Sequence, residues 1–106
     1  MDGPLQHLLR DLHAGLAAIY GSRLRGVYLY GSYARGEADR ESDLDVLVIL
    51  DEFAHYGAEV DRTSALTARL SLAYGVSISK VFLRERDWRS HDTPFLANVR
   101  DEAVPA

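Results

Sequence analysis

GSYARGEADRESDLDVLVI, residues 31–49, decides how the rest of the chain is read. Just upstream, Val27, Tyr28, Leu29 and Tyr30 predict a strand over 26–30, which Gly31-Ser32 turns into a polar run. A second strand is predicted over 43–50, with Asp43 and Asp45 at its head and Val46, Leu47, Val48, Ile49 and Leu50 behind them. That unbroken apolar run implies burial on both faces, as in a central strand. Residues i and i+2 of a strand project from one face, so the two carboxylates point the same way.

Like charges side by side repel unless they share a cation, and Mg²⁺ takes carboxylate oxygens together with substrate phosphates. The Gly-Ser turn supplies the complementary half. Glycine lets backbone approach a ligand closely, and exposed N–H groups at such a turn hold phosphate oxygens. Ser32 adds a hydroxyl donor and Arg35 a cation suited to phosphate. Together these residues suggest a metal–triphosphate site. Each part alone has a plainer reading, because Gly-Ser turns are common and acidic pairs at strand ends often face solvent or guard an edge.

The 106 residues, 47% hydrophobic and 26% charged, predict one domain of ordinary soluble composition. A net charge of −4 argues against direct, non-specific nucleic-acid binding, which needs a basic face, but allows a basic protein partner. There is no cysteine, so disulfides and thiolate metal sites are excluded. No apolar run reaches membrane-spanning length, and the N-terminus lacks a basic-then-apolar leader, so no membrane contact and a cytoplasmic location are expected.

Asp2-Gly3-Pro4 reads as a helix start, and Leu5, Leu8, Leu9, Leu12, Leu16 and Ile19 recur at helical spacing until Gly21. His7 and His13 fall on this helix as surface residues. The segment 37–41 reads as a solvated loop, with Ser42 either a turn hydroxyl or a phosphate contact. Val60, Leu66, Leu70 and Tyr74 predict a second helix over 58–74, with Glu59 and Asp61 favouring its dipole and Gly75 its stop. A third strand is predicted over 76–83, a short turn of helix over 85–90 with Trp88 as an anchor, and a helix opened by Thr93-Pro94. The tail 101–106 reads as frayed.

Gly31-Ser32, Ala34-Arg35-Gly36 and Ser42-Asp43-Leu44-Asp45, at this spacing and between two apolar strands, resemble the signature of the DNA polymerase β nucleotidyltransferase superfamily. Within it, the chain is most similar to the minimal, single-domain members that pair with HEPN-type proteins. The resemblance implies an α/β (α+β) fold with a small mixed sheet and helices packed mainly on one side, as one minimal domain over 1–106. It also implies metal-dependent transfer of a nucleoside monophosphate, AMP from ATP, to a hydroxyl of an acceptor, with pyrophosphate leaving. On that reading Asp43 and Asp45 hold Mg²⁺ (or Mn²⁺) and are catalytic, while Gly31, Ser32, Arg35 and Ser42 bind the nucleotide phosphates. The implied acceptor is a HEPN-type partner protein in a toxin–antitoxin setting, and a homo-oligomer is compatible with the sequence.

One feature of the superfamily is missing. Its enzymes use a third carboxylate on a neighbouring strand to help hold the metal that activates the attacking hydroxyl. The matching strand here offers only Ser77 and Ser79 on the relevant face, with Lys80 on the other, and no Asp or Glu lies between Arg62 and Arg84. Glu85 or Asp87 would have to fold back to fill the gap. A neutral hydroxyl is a poor ligand for a hard cation, so transfer is expected to be weaker than nucleotide binding. The alternative is a catalytically weak nucleotide-binding module that neutralises its partner by masking it. A small-molecule nucleotidyltransferase ranks third, since such enzymes carry a further substrate domain.

Overall fold

In the computed structural model, residues 3–90 and 93–106 are described, so the expected contribution of Asp2 to the first helix start lies outside the described residues. Helix α1 (Gly3–Tyr20) buries Leu8, Leu9, Leu12, Leu16 and Tyr20 along one stripe, the spacing that the sequence predicts. A 3₁₀ turn (Gly21–Arg23) leads into β1 (Leu24–Tyr30). A single helical turn α2 (Ser32–Arg35) and an irregular acidic segment then connect to β2 (Leu44–Leu50). Helix α3 (Tyr56–Tyr74) crosses over to β3 (Ile78–Arg84) and stops at Gly75, which takes the left-handed conformation. Helices α4 (Glu85–Ser90) and α5 (Pro94–Glu102) and the two-residue strand β4 (Val104–Pro105) follow.

The sheet order is β3-β2-β1-β4, with β2 antiparallel to β1 and parallel to β3. This is the mixed sheet that the resemblance implies. β2 is central and buried on both faces. Leu44, Val46, Val48 and Leu50 face a core built with Leu12 and Leu16 of α1 and Leu66 and Leu70 of α3. Leu47 and Ile49 face the opposite side, against Val99 of α5 and with Tyr28, Val81 and Trp88. Each of these fully buried aliphatic side chains is worth about 1.5–3 kcal/mol. The two long helices therefore share one face, as expected, while the short α4 and α5 cover the other. Trp88 is an anchor there, its ring 5.0 Å from that of Tyr28 and under the Arg100 guanidinium.

Three expectations need correction. The tail is not frayed: α5 runs through Glu102, and β4 pairs antiparallel with β1, with Leu29 opposite Val104 and Tyr28 opposite Pro105. The Ala106 N–H also donates to the Val27 carbonyl (2.9 Å). A strand of two residues is too short to leave a period-2 pattern in the sequence. Second, Glu59 is more than an acid at a helix start. It is 4% exposed, accepts from the Tyr20 hydroxyl (2.8 Å), and is paired with Arg62 (3.2 Å). Third, α3 begins at Tyr56 rather than at the expected 58, and the Tyr56 hydroxyl accepts the Phe82 N–H of the edge strand β3 (3.2 Å). Among the described residues no helix is long and apolar enough to cross a membrane.

Candidate functional site

The end of β1, the head of β2 and the head of β3 meet at one end of the sheet. Tyr30 pairs with Asp45 across the antiparallel ladder, and Asp45 pairs with Ser79 across the parallel one. Gly31 follows with φ 75° and ψ −155°, a conformation open in practice only to glycine. Any Cβ at Gly31 would collide with Asp45 Oδ2, so the turn and the carboxylate are in direct apposition. The sequence therefore needs glycine here twice, for the backbone conformation and for the space.

From Gly31 the backbone makes the short helix α2, with the Arg35 N–H donating to the Gly31 carbonyl (3.1 Å), and leaves it through Gly36 in the left-handed conformation. Ser32 opens this turn. Arg35 Nη1 donates to Glu102 Oε2 (3.0 Å) and Arg35 Nε to Glu37 Oε2 (3.2 Å). Glu102 Oε1 accepts the Gly31 N–H (3.2 Å). One carboxylate thus bridges a backbone N–H and the side-chain cation of the turn. Sequence reasoning missed Glu102, and the only signal for it was an acid at the end of a helix.

Asp43 stands immediately before β2 rather than as its first residue, exposed, with Asp45 half-buried two positions on. Burial pushes the Asp45 carboxyl above its ordinary range. Asp43 and Glu102 add to that rise, and Arg35 offsets part of it. Burial and the nearby Asp45 likewise raise the Tyr30 phenol. Two adjacent carboxylates, one of them poorly solvated, form a donor set that suits a hard divalent cation completed by ligand oxygens. Among the described residues no group of three or more His, Cys, Asp or Glu is arranged to hold a metal by itself.

The remaining predicted residues divide. Ser79 lies beside Asp45 in register, and Ser77 precedes β3, its carbonyl accepting the Leu44 N–H (2.8 Å). Lys80 faces the other way, donating to Thr63 Oγ1 (2.8 Å) and Thr67 Oγ1 (3.2 Å) of α3, where burial lowers its ammonium. β3 carries no acid. Ser42 is committed to its own loop, its hydroxyl accepting the Asp39 N–H (3.0 Å) and donating to Asp39 Oδ1 (3.3 Å). It acts there as a turn hydroxyl shaping the approach to Asp43. Glu85 and Asp87 do not fold back: they follow the far end of β3 and are paired with Arg25 and Arg89 and with Arg84. Salt bridges at the strand's exit, not the site, take those acids.

Comparison with known proteins matches this geometry to a family. The profile described as "Nucleotidyltransferase domain" covers residues 9–89. A protein of Methanocaldococcus jannaschii named as a candidate protein adenylyltransferase is 32% identical over 97 residues, 92% of this chain and 93% of its own. The structure of a candidate minimal nucleotidyltransferase superposes with a TM-score of 0.65 at 27% identity, over 96% of this chain and 92% of that one. Two more distant structures share the fold: a toxin–antitoxin complex with AMP-PNP, and a tri-AMPylated Shewanella oneidensis HEPN toxin with its MNT antitoxin. Their TM-scores are 0.62 and 0.61 at 22% and 20% identity, covering 90% and 94% of this chain and 69% of each of theirs. With a matching profile across most of its length and a relative aligned nearly end to end, this chain belongs to the nucleotidyltransferase domain family and is a nucleotidyltransferase.

Proposed function

We propose that the chain transfers AMP from ATP to a hydroxyl of a partner protein, using Mg²⁺ (or Mn²⁺) held by Asp43 and Asp45. The observation that carries this reading is the apposition of Asp45 to the Gly31 turn, with Asp43 beside it, at one end of the sheet. The protein's contribution is placement. Gly31 N–H and Ser32 hold the outer phosphate oxygens, and Arg35 offsets the charge that develops as pyrophosphate departs. A divalent cation held by Asp43 and Asp45 would supply positive charge to offset that of the phosphates. The acceptor oxygen bonds to the α-phosphorus, the bond to the β-phosphate oxygen breaks, and the acceptor's proton passes to solvent. With Ser79 rather than an acid beside Asp45, β3 offers no carboxylate to draw that proton away, so transfer is slow relative to binding. The names of the relatives and the AMPylated HEPN toxin beside its MNT antitoxin support a HEPN-type partner as the acceptor, in a toxin–antitoxin setting.

The serine beside Asp45 also favours a second reading, in which the chain binds nucleotide with little catalysis and neutralises its partner by covering it. Calorimetric titration of ATP with Mg²⁺ into wild type, Asp43→Asn and Asp45→Asn tests the site, and the mass of the co-purified partner tests the reaction. Binding that needs both aspartates, with a partner heavier by whole AMP units, supports transfer. A stable complex with an unmodified partner supports masking. ATP binding that survives both substitutions would remove the assignment.

A further inference from the structure

The two donors assigned above to phosphate, the neutral Gly31 N–H and the Arg35 guanidinium, already hold an anion. Glu102 presents one carboxylate oxygen to the Gly31 N–H at 3.2 Å and the other to Arg35 Nη1 at 3.0 Å. This is the arrangement that two oxygens of one phosphate would adopt on the same donors. The position of Glu102 is built into the fold. Leu96 and Val99 bury the inner face of α5, and Arg100 stacks on Trp88 and donates to its carbonyl. Directly after Glu102, β4 is laced to β1. The residue is thus held between a helix anchored by one buried face and a paired strand, with its side chain 27% exposed.

We propose that Glu102 is an internal stand-in for phosphate: it closes the Gly31–Arg35 turn and must leave before a nucleoside triphosphate can take the same donors. This rests on the assignment of those donors to phosphate. One N–H cannot serve two anions at once, and a third carboxylate near Asp45 also repels an incoming polyphosphate. The contact comprises a part-exposed ion pair and a single backbone hydrogen bond, so it weakens binding rather than preventing it.

The test is titration of ATP with Mg²⁺, and separately of inorganic triphosphate without metal, into wild type, Glu102→Gln, Glu102→Ala and Asp101→Asn. Asp101 is the exposed neighbour on the same helix, and its substitution makes the same change in net charge. Glu102→Gln and Glu102→Ala are expected to bind both ligands about tenfold tighter, and Asp101→Asn within about twofold of wild type. Unchanged or weaker binding by both Glu102 variants overturns the proposal, as does an equal gain from Asp101→Asn, which would be a net-charge effect. If wild type binds ATP through Asp45 yet Glu102 has no influence, only this inference fails. If none of the proteins binds either ligand, the phosphate assignment fails and takes this inference with it.

Discussion

The two ends of the sheet use the same residue types to opposite effect. Where β1 begins and β2 and β3 end, each acid named there has an arginine: Arg23 with Asp51, Arg84 with Glu52 and Asp87, Arg25 and Arg89 with Glu85. There the Glu52 N–H and the Arg23 guanidinium hold the Asp51 carboxyl below its ordinary range. At the other end, Arg35 is already shared by Glu37 and Glu102, Asp43 stands two positions before Asp45, and the Asp45 carboxyl is pushed up. One end is electrostatically matched and contributes to stability. The other carries uncompensated negative charge, which is what a cation-binding site requires and what a purely structural end would avoid.

Substitutions can break that contrast. The largest effect is expected from Asp45→Asn, which should lower nucleotidyl transfer on the order of 100-fold or more while leaving the thermal midpoint unchanged or higher, because it removes repulsion rather than a partner. A steep fall in the midpoint would mean that Asp45 is structural. Gly31→Ala should cost about 2–4 kcal/mol in denaturant unfolding, since it forces a methyl against Asp45 at a backbone conformation that alanine avoids. Full stability in this variant would show that the turn has more room than its geometry indicates.

The smallest effect is expected at the matched end, from Asp51→Asn, which should lower the midpoint slightly and leave nucleotide binding alone. Its pH dependence is the sharper readout. A carboxyl whose folded value lies below its unfolded one stabilises the protein above the unfolded value, about pH 4, and loses that contribution as pH falls through the folded value. The difference between wild type and variant should therefore shrink below about pH 4. A difference that grows with acidity would reverse the assignment.

Much of the site's scaffold was legible because it is local. The strand–turn–strand around Gly31, the paired aspartates and the apolar run of β2 lie within residues 26–50, where period and turn chemistry speak directly. The absence of an acid on β3 was also legible, and the register that sets Ser79 beside Asp45 agrees with it. The rest depends on contacts between distant residues. Glu59 reads as a helix-start acid until Tyr20, 39 positions away, arrives to bury it. Glu85 and Asp87 lie just past β3, and only the parallel pairing of β3 with β2 shows that they emerge at the wrong end. Glu102 reaches Gly31 across 71 positions, from a helix whose own sequence gives no reason to expect a partner.

That separation also has a consequence in time. A ribosome extends a chain at about 5–20 residues per second, so Gly31 is added on the order of ten seconds before Glu102, 71 positions later. Between those two additions β2, α3 and β3 are made first, and α5 only at the end of the interval. The glycine turn and its aspartates are thus synthesised before the carboxylate that Gly31 donates to, and that contact can form only after α5 has been made.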